Sequence, residues 1–142
     1  MKPVAELIRN REGTIWHVRP DDTVFAALQL LAQHEVGALM VMEGGRLVGV
    51  LSERDYTRKV ALQGRNSRET RVSEIMSRQV VTVAPRTGTR ACMALMSERR
   101  IRHLPVLDGA TVLGMISIRD IMDDIIRSHE QTIAQLETYI QS

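Results

Sequence analysis

The sequence predicts a mixed fold, α/β of the α+β kind, made of two βαββα units packed about a pseudo-two-fold axis. Three observations predict it. Shifted by 65 positions, Ile15 to Asp55 falls on Val80 to Asp120 without a gap, with eleven identities in 41 positions. Inside each copy the apolar residues change from strand spacing to helix spacing and back. Each copy also closes on the same string, Gly-apolar-apolar-Ser-x-Arg-Asp, at Gly49 to Asp55 and at Gly114 to Asp120.

The elements follow in order. Ile15 to Val18 and Val80 to Val83 are short apolar or β-branched stretches, which are strand-like, and Pro20 and Pro85 end them. Asp22-Thr23 offers a helix N-cap. Val24, Ala27, Leu28 and Leu31 then recur at helical spacing, as do Met93, Leu95 and Met96 in the second copy. Ala38 to Met42 is a strand, Glu43-Gly44-Gly45-Arg46 a tight turn, and Leu47 to Leu51 the returning strand of a hairpin. The second hairpin runs His103 to Leu107, Asp108-Gly109, and Val112 to Ile116. Ser52 and Ser117 start the closing helices. The lead-in segments match at a shift of 68, Val4-Ala5-Glu6-Leu7-Ile8 with Val72-Ser73-Glu74-Ile75-Met76, so copy one carries three extra residues around Asn10 to Gly13. Residues 1–69 hold the first repeat with its lead-in and linker, and 70–142 the second with an extended C-terminal helix. One unit buries too little to stand alone. Two packed face to face share a core and leave clefts where their sheets meet.

Composition narrows the function. The chain has 142 residues, is 44% apolar and contains only four aromatics, Trp16, Phe25, Tyr56 and Tyr139, so its core is aliphatic with eight Met as soft filling. A net charge of +2 is too small to argue nucleic acid, and stacking platforms for single strands are missing. The lone Cys92 excludes an internal disulfide and a thiolate zinc site, and its apolar surroundings make it a core residue. No secretory signal and no membrane-length apolar run is present, so a cytoplasmic protein without a membrane partner is expected. His17, His34, His103 and His129 have no metal-ligand spacing, and no P-loop or Gly-rich dinucleotide fingerprint occurs. Neither catalysis nor a required metal is expected.

The repeated Ser-x-x-Asp has two readings. As a capping box, the serine satisfies an orphan N–H and the acid sits at the positive end of a helix. As a binding motif, the same helix start suits phosphate, Asp55 or Asp120 can accept from both hydroxyls of a ribose, and Arg54 or Arg119 can pair with phosphate. Gly49 and Gly114 would let backbone approach closely. Spacing alone leaves the two readings level.

The Gly-h-h-Ser-x-x-Asp ends, the Val-x-Pro starts and Arg102-His103-Leu104-Pro105-Val106 together resemble the cystathionine-β-synthase (CBS) domain pair. The resemblance runs from Val4 to about Ile126 and covers both copies. Ser52-Glu53-Arg54-Asp55-Tyr56, followed by Arg58-Lys59-Val60, is similar to the small stand-alone CBS-pair proteins of bacteria. The resemblance implies a non-catalytic module that binds an adenine nucleotide such as AMP, ATP or NAD(H) between the repeats and signals to a regulated partner. It implies that Asp55 and Asp120, with Ser52 and Ser117, hold the ribose. It implies base and sugar contacts from Thr14, Ile15 and Trp16, from Val80, Val81 and Thr82, and from the openings of strand two at Val36, Gly37, Ala38, Leu39 and Ile101, Leu104, Pro105, with Ile116 beside them.

The copies differ at strand two, Gly37-Ala38 against Arg102-His103, so phosphate is expected on the Arg102-His103 side. A solvated, basic helix end is the alternative for Arg99, Arg100 and Arg102. The linker from Thr57 to Thr70 is basic; Arg58 or Lys59 either reaches a pyrophosphate or faces solvent. In the tail, Ile121, Ile125, Ile126, His129, Ile133, Leu136 and Ile140 mark an apolar stripe, which predicts a homodimer or docking on the chain's own body. Two other functions remain open: a ligand-independent dimerisation scaffold, and nucleic-acid binding through the basic linker.

Overall fold

The computed structural model describes residues 2–9 and 14–141, so the extra loop expected around Asn10 to Gly13 lies outside the described residues. Helix α1 (Val4–Ile8) leads to β1 (His17–Val18), α2 (Val24–His34), the hairpin β2 (Ala38–Glu43) and β3 (Arg46–Ser52), and α3 (Glu53–Tyr56). A π-helical turn follows at Thr57–Ala61. The second copy gives α4 (Val72–Ile75), α5 (Thr89–Arg99), β4 (His103–Asp108), β5 (Thr111–Ser117) and the long α6 (Ile118–Gln141).

The repeat survives in fine detail. Both hairpins are antiparallel and slip register at matching places, between Val41 and Met42 and between Val106 and Leu107. Helices α2 and α5 both end on a left-handed residue, Glu35 at φ 53° and Arg100 at φ 56°. Thr23 caps α2, its hydroxyl accepting from Ala26 N at 3.1 Å, whereas Gly88 at the start of α5 has no side chain to offer.

Strand one is shorter than the apolar pattern predicts. Only His17–Val18 pairs with β2, in parallel, and copy two keeps a single bridge from Val83 to Val106. The chain itself explains the inequality. Met40 N donates to Trp16 O at 3.3 Å, and the residue equivalent to Met40 is Pro105, which has no N–H to donate.

Two aliphatic cores lie under the hairpins, and the lead-in helices cross between them. Val72, Ile75 and Met76 of α4 and its end pack with Val18, Leu31, Leu39 and Leu51 of copy one. Val4 and Ile8 of α1 pack with Cys92, Leu104, Ile116 and Ile121 of copy two. The backbone repeats this exchange: Val72 N donates to Asp22 O and Val4 N to Thr87 O, both at 2.8 Å. Burying an aliphatic side chain fully contributes about 1.5–3 kcal/mol, so each lead-in stabilises the copy it does not precede. The lead-ins thus pack across the division of the repeats at residues 69 and 70.

Gly49 serves this exchange, which corrects its expected role at a ligand. A Cβ there would stand 2.7 Å from Met76 Sδ and 3.0 Å from Ser77 O. Glycine is what lets the segment following α4 lie against β3, where Val50 and Ser77 bond reciprocally in an isolated bridge. Cys92 is fully buried, as its apolar setting predicts, and burial pushes its thiol pKa up.

Candidate functional site

A cleft of about 1140 Å³ opens between the copies. That is ample for a nucleotide-sized molecule. Copy one contributes Thr14 and Trp16 from the approach to β1, and Val36, Gly37 and Ala38 from the start of β2. Copy two contributes Arg102 and His103 from the start of β4, and Ser117, Ile118, Arg119, Asp120 and Asp123 from the β5–α6 junction.

Each side chain is held for a local reason. Ser117 caps α6: Asp120 N donates to its Oγ at 3.1 Å, while Ser117 N and Oγ donate to Asp120 Oδ2 at 2.8 and 2.9 Å. Ser52 and Asp55 form the same box on α3, at 2.9, 3.0 and 3.1 Å. The capping reading therefore holds in both copies. It uses one carboxylate oxygen for both serine donors in each case, and a carboxylate has about four acceptor positions in all. Capping and ribose recognition are compatible in one residue.

The surroundings of the two acids differ. Asp55 Oδ1 pairs with Lys59 Nζ at 3.3 Å, four residues on, and the same ammonium donates to Ile75 O at 2.9 Å. The residue four beyond Asp120 is Asp124, which pairs instead with Lys2 at 2.7 Å. Lys59 thus meets two protein partners.

Aromatic and basic groups shape the rest of the cleft. Trp16 is 43% exposed, and its ring stacks on His34 with centroids 3.6 Å apart and planes 13° from parallel. A Cβ on Gly37 would lie 3.3 Å from His103 Cε1, so the imidazole occupies room that only the glycine leaves. The unequal openings of strand two interlock across the pseudo-two-fold. Burial lowers the His103 pKa below its ordinary 6.5; Asp120 opposes that shift and Arg102 adds to it.

The structure brings ten of the predicted residues to this cleft: Thr14, Trp16, Val36, Gly37, Ala38, Arg102, His103, Ser117, Arg119 and Asp120. It places others elsewhere. Leu39, Leu104 and Ile116 are wholly buried in the cores and Pro105 is buried beside them, so only their backbone could border the cleft. Ile15, Val80, Val81 and Ile101 are half-buried, and Thr82 and Arg58 are exposed, all outside the lining of this cleft. Ser52 and Asp55 also stand outside it, and Arg54 Nη1 donates to Arg100 O at 3.4 Å. Three lining acids were not foreseen: Glu35, Glu53 and Asp123. Asp123 was readable, since it lies one helical turn beyond Asp120.

Two of the linker's cations and Arg71, just beyond it, meet protein groups. Arg65 pairs with Glu74, Arg68 lies 4.2 Å over the Phe25 ring, and Arg71 donates to Asp21 O at 2.8 Å. The backbone N–H of Arg71 is the largest cause that lowers the Glu74 pKa, followed by Arg65.

A paired βαββα module with a cleft at the β5–α6 junction is the class of protein these observations define. The CBS domain model matches residues 5–62 and 72–127, and the chain belongs to the CBS-domain family as a CBS-pair regulatory module. It is 38% identical over 138 residues to the mitochondrial CBS domain-containing protein CBSX3 of Arabidopsis thaliana, covering 94% of this chain and 67% of that one. It is 36% identical over 104 residues to CBS domain-containing protein YhcV of Bacillus subtilis, covering 73% and 74%. A candidate signal-transduction protein with CBS domains from Burkholderia ambifaria superposes with a TM-score of 0.85 at 45% identity, covering 89% and 95%. A hexameric CBS-CP12 protein from bloom-forming cyanobacteria does so at 0.77 and 28%, covering 94% and 86%. Among the described residues no helix is long and apolar enough to cross a membrane, and no cluster of three His, Cys, Asp or Glu could hold a metal ion.

Proposed function

We propose that the chain is a non-catalytic sensor that takes one adenine nucleotide, of the AMP, ATP or NAD(H) kind, in the cleft beside Asp120. The observation that carries this reading is the cleft itself, which gathers Asp120 with Trp16, Arg102, His103 and Arg119 in one nucleotide-sized opening. Asp55 lies outside that opening and pairs with Lys59. Asp120 takes the ribose hydroxyls, Trp16 offers an aromatic face to the base, and Arg102, Arg119 and His103 take the phosphate. Glu35, Glu53 and Asp123 line the same cleft and offset that positive charge, which favours a ligand of few phosphates over a highly charged one. Occupancy shifts the relative pose of the copies, and a regulated partner reads the pose. Cytoplasmic placement and self-association belong to the same reading, the latter supported by the hexameric cyanobacterial relative. The engagement of Arg65 with Glu74, Arg68 with Phe25 and Arg71 with Asp21 weighs against a nucleic-acid partner.

A ligand-independent scaffold is the competing reading, favoured by the completeness of both capping boxes. Thermal melts with AMP, ATP and NADH separate the two. A specific nucleotide raises stability by about 2.7 kcal/mol at a hundred times its Kd. That gain should vanish in Asp120→Asn and persist in Asp55→Asn. No gain with any of the three nucleotides overturns the sensor.

A further inference from the structure

Helix α6 runs for 24 residues, well past the core it serves. Its inner turns are anchored: Ile121 and Asp124 are buried, and Ile118, Ile125 and Ser128 are half-buried on the same side. From His129 to Gln141 every position is exposed. This end leaves the body, so nothing among the described residues covers its apolar side chains.

The exposed apolar residues fall into a pattern tighter than a generic stripe. Met122, Ile126, His129, Ile133, Leu136 and Ile140 follow one another at alternating steps of four and three. In heptad terms every a position is isoleucine and the d positions are Met122, His129 and Leu136. The five apolar members are 52–80% exposed. At about 100° per residue, this seam lies roughly 100° around the helix from Ile121, so a second helix can lie on it without meeting the body.

The flanking charges choose the occupant. All three e positions are acidic, Asp123, Glu130 and Glu137, while the g positions are Ile125, Thr132 and Tyr139. An antiparallel pair sets e against e and brings like charges together. A parallel pair sets e against the uncharged g row of its mate. Isoleucine at a with leucine or methionine at d favours two strands, and one polar layer, His129, fixes register.

We propose that α6 forms a parallel, in-register, two-stranded coiled coil with a second copy of this chain, along the seam from Met122 to Ile140. This interface stands whether or not the cleft binds a nucleotide.

Two measurements on the full chain test it. In Ile140→Cys, a last a-layer thiol faces its own copy, so mild oxidation of dilute protein should give covalent dimer rapidly. Gln135→Cys, on the outer c position, should not, and buried Cys92 does not compete. In sedimentation, Ile133→Asp should weaken self-association at least tenfold with the body still folded, and His129→Leu should strengthen it. Equal cross-linking at 135 and 140, or none at 140, overturns the proposal. So does self-association unchanged by Ile133→Asp, or a wild-type chain that is monomeric throughout, which would leave the seam to a different protein.

Discussion

The two copies share a scaffold and diverge just after the Ser-x-Arg-Asp motif. Beyond Ser52-Glu53-Arg54-Asp55 the helix gives way to a π-helical turn that ends at Ala61 and carries the lysine pairing with Asp55. Beyond Ser117-Ile118-Arg119-Asp120 the helix continues unbroken to Gln141, and the residue in the lysine's place is an aspartate facing Lys2. One junction is closed by an ion pair four residues on, and the other lines the cleft. A duplicated motif therefore need not keep duplicated surroundings: the cap is kept in both copies, while the residue four positions on differs.

The largest contrast to probe is structural. Gly49 and Gly114 occupy equivalent positions, but only Gly49 is crowded by Met76 and by Ser77 O, whose neighbours in the bridge cannot retreat. Gly49→Ala should cost about 1–3 kcal/mol in chemical denaturation. Gly114→Ala, with its nearest contact 3.6 Å away, should stay within about 0.5 kcal/mol of wild type. Equal losses would mean the lead-ins are packed alike.

Lys59→Met breaks the comparison from the other side. It removes a partly exposed ion pair worth about 0–1 kcal/mol, so the melt should move little. Calorimetric stoichiometry for AMP should nevertheless rise from one toward two per chain as Asp55 is released. A stoichiometry unchanged by the substitution would show that Lys59 is not what closes copy one.

The smallest effect is a pH dependence peculiar to copy two. His103 has its pKa lowered in the folded chain, chiefly by burial, so on acidification the unfolded chain takes up the proton first. The contribution to stability is present above roughly pH 6.5 and is lost as pH falls through the folded value. His103→Gln should flatten that slope in melts across pH 5 to 8. A phosphate beside the imidazole favours its charged form, so AMP affinity should rise toward acid pH in wild type and not in the variant.

Much of this was legible because it is local. The gapless repeat, the helix over Val24 to His34, the hairpins, the two capping boxes and buried Cys92 all follow from spacing within a few residues. The exchange of lead-in helices was not. Val4-Ala5-Glu6-Leu7-Ile8 and its counterpart are apolar on one side, but nothing along the chain says which of two similar cores that side covers. The loss of strand one in copy two hung on one missing donor, Pro105, whose partner is 24 positions upstream at Val81. Within the site, Asp120 and Arg102-His103 follow from copy-against-copy comparison, while Trp16 follows from the family resemblance. Lys59 was noticed as a cation, yet its partner at Asp55 lay in the ordinary helical i,i+4 relation and decided its role.

Helix α6 joins two ends of the molecule in one rigid piece. Asp120 and Asp123 touch the cleft from its first turns, and its far end stands clear of the body. Asp120 and Gln141 are about 31 Å apart at 1.5 Å per residue, so a tilt of about 10° at the cleft moves the tip by roughly 5 Å. Were the anchored turns from Ile118 to Ser128 to tilt together with copy two, a displacement too small to matter at the cleft would become, at the tip, a shift as large as a full helical turn. Mechanical gain of this kind needs no long chain of contacts, only a rod stiff enough to carry it.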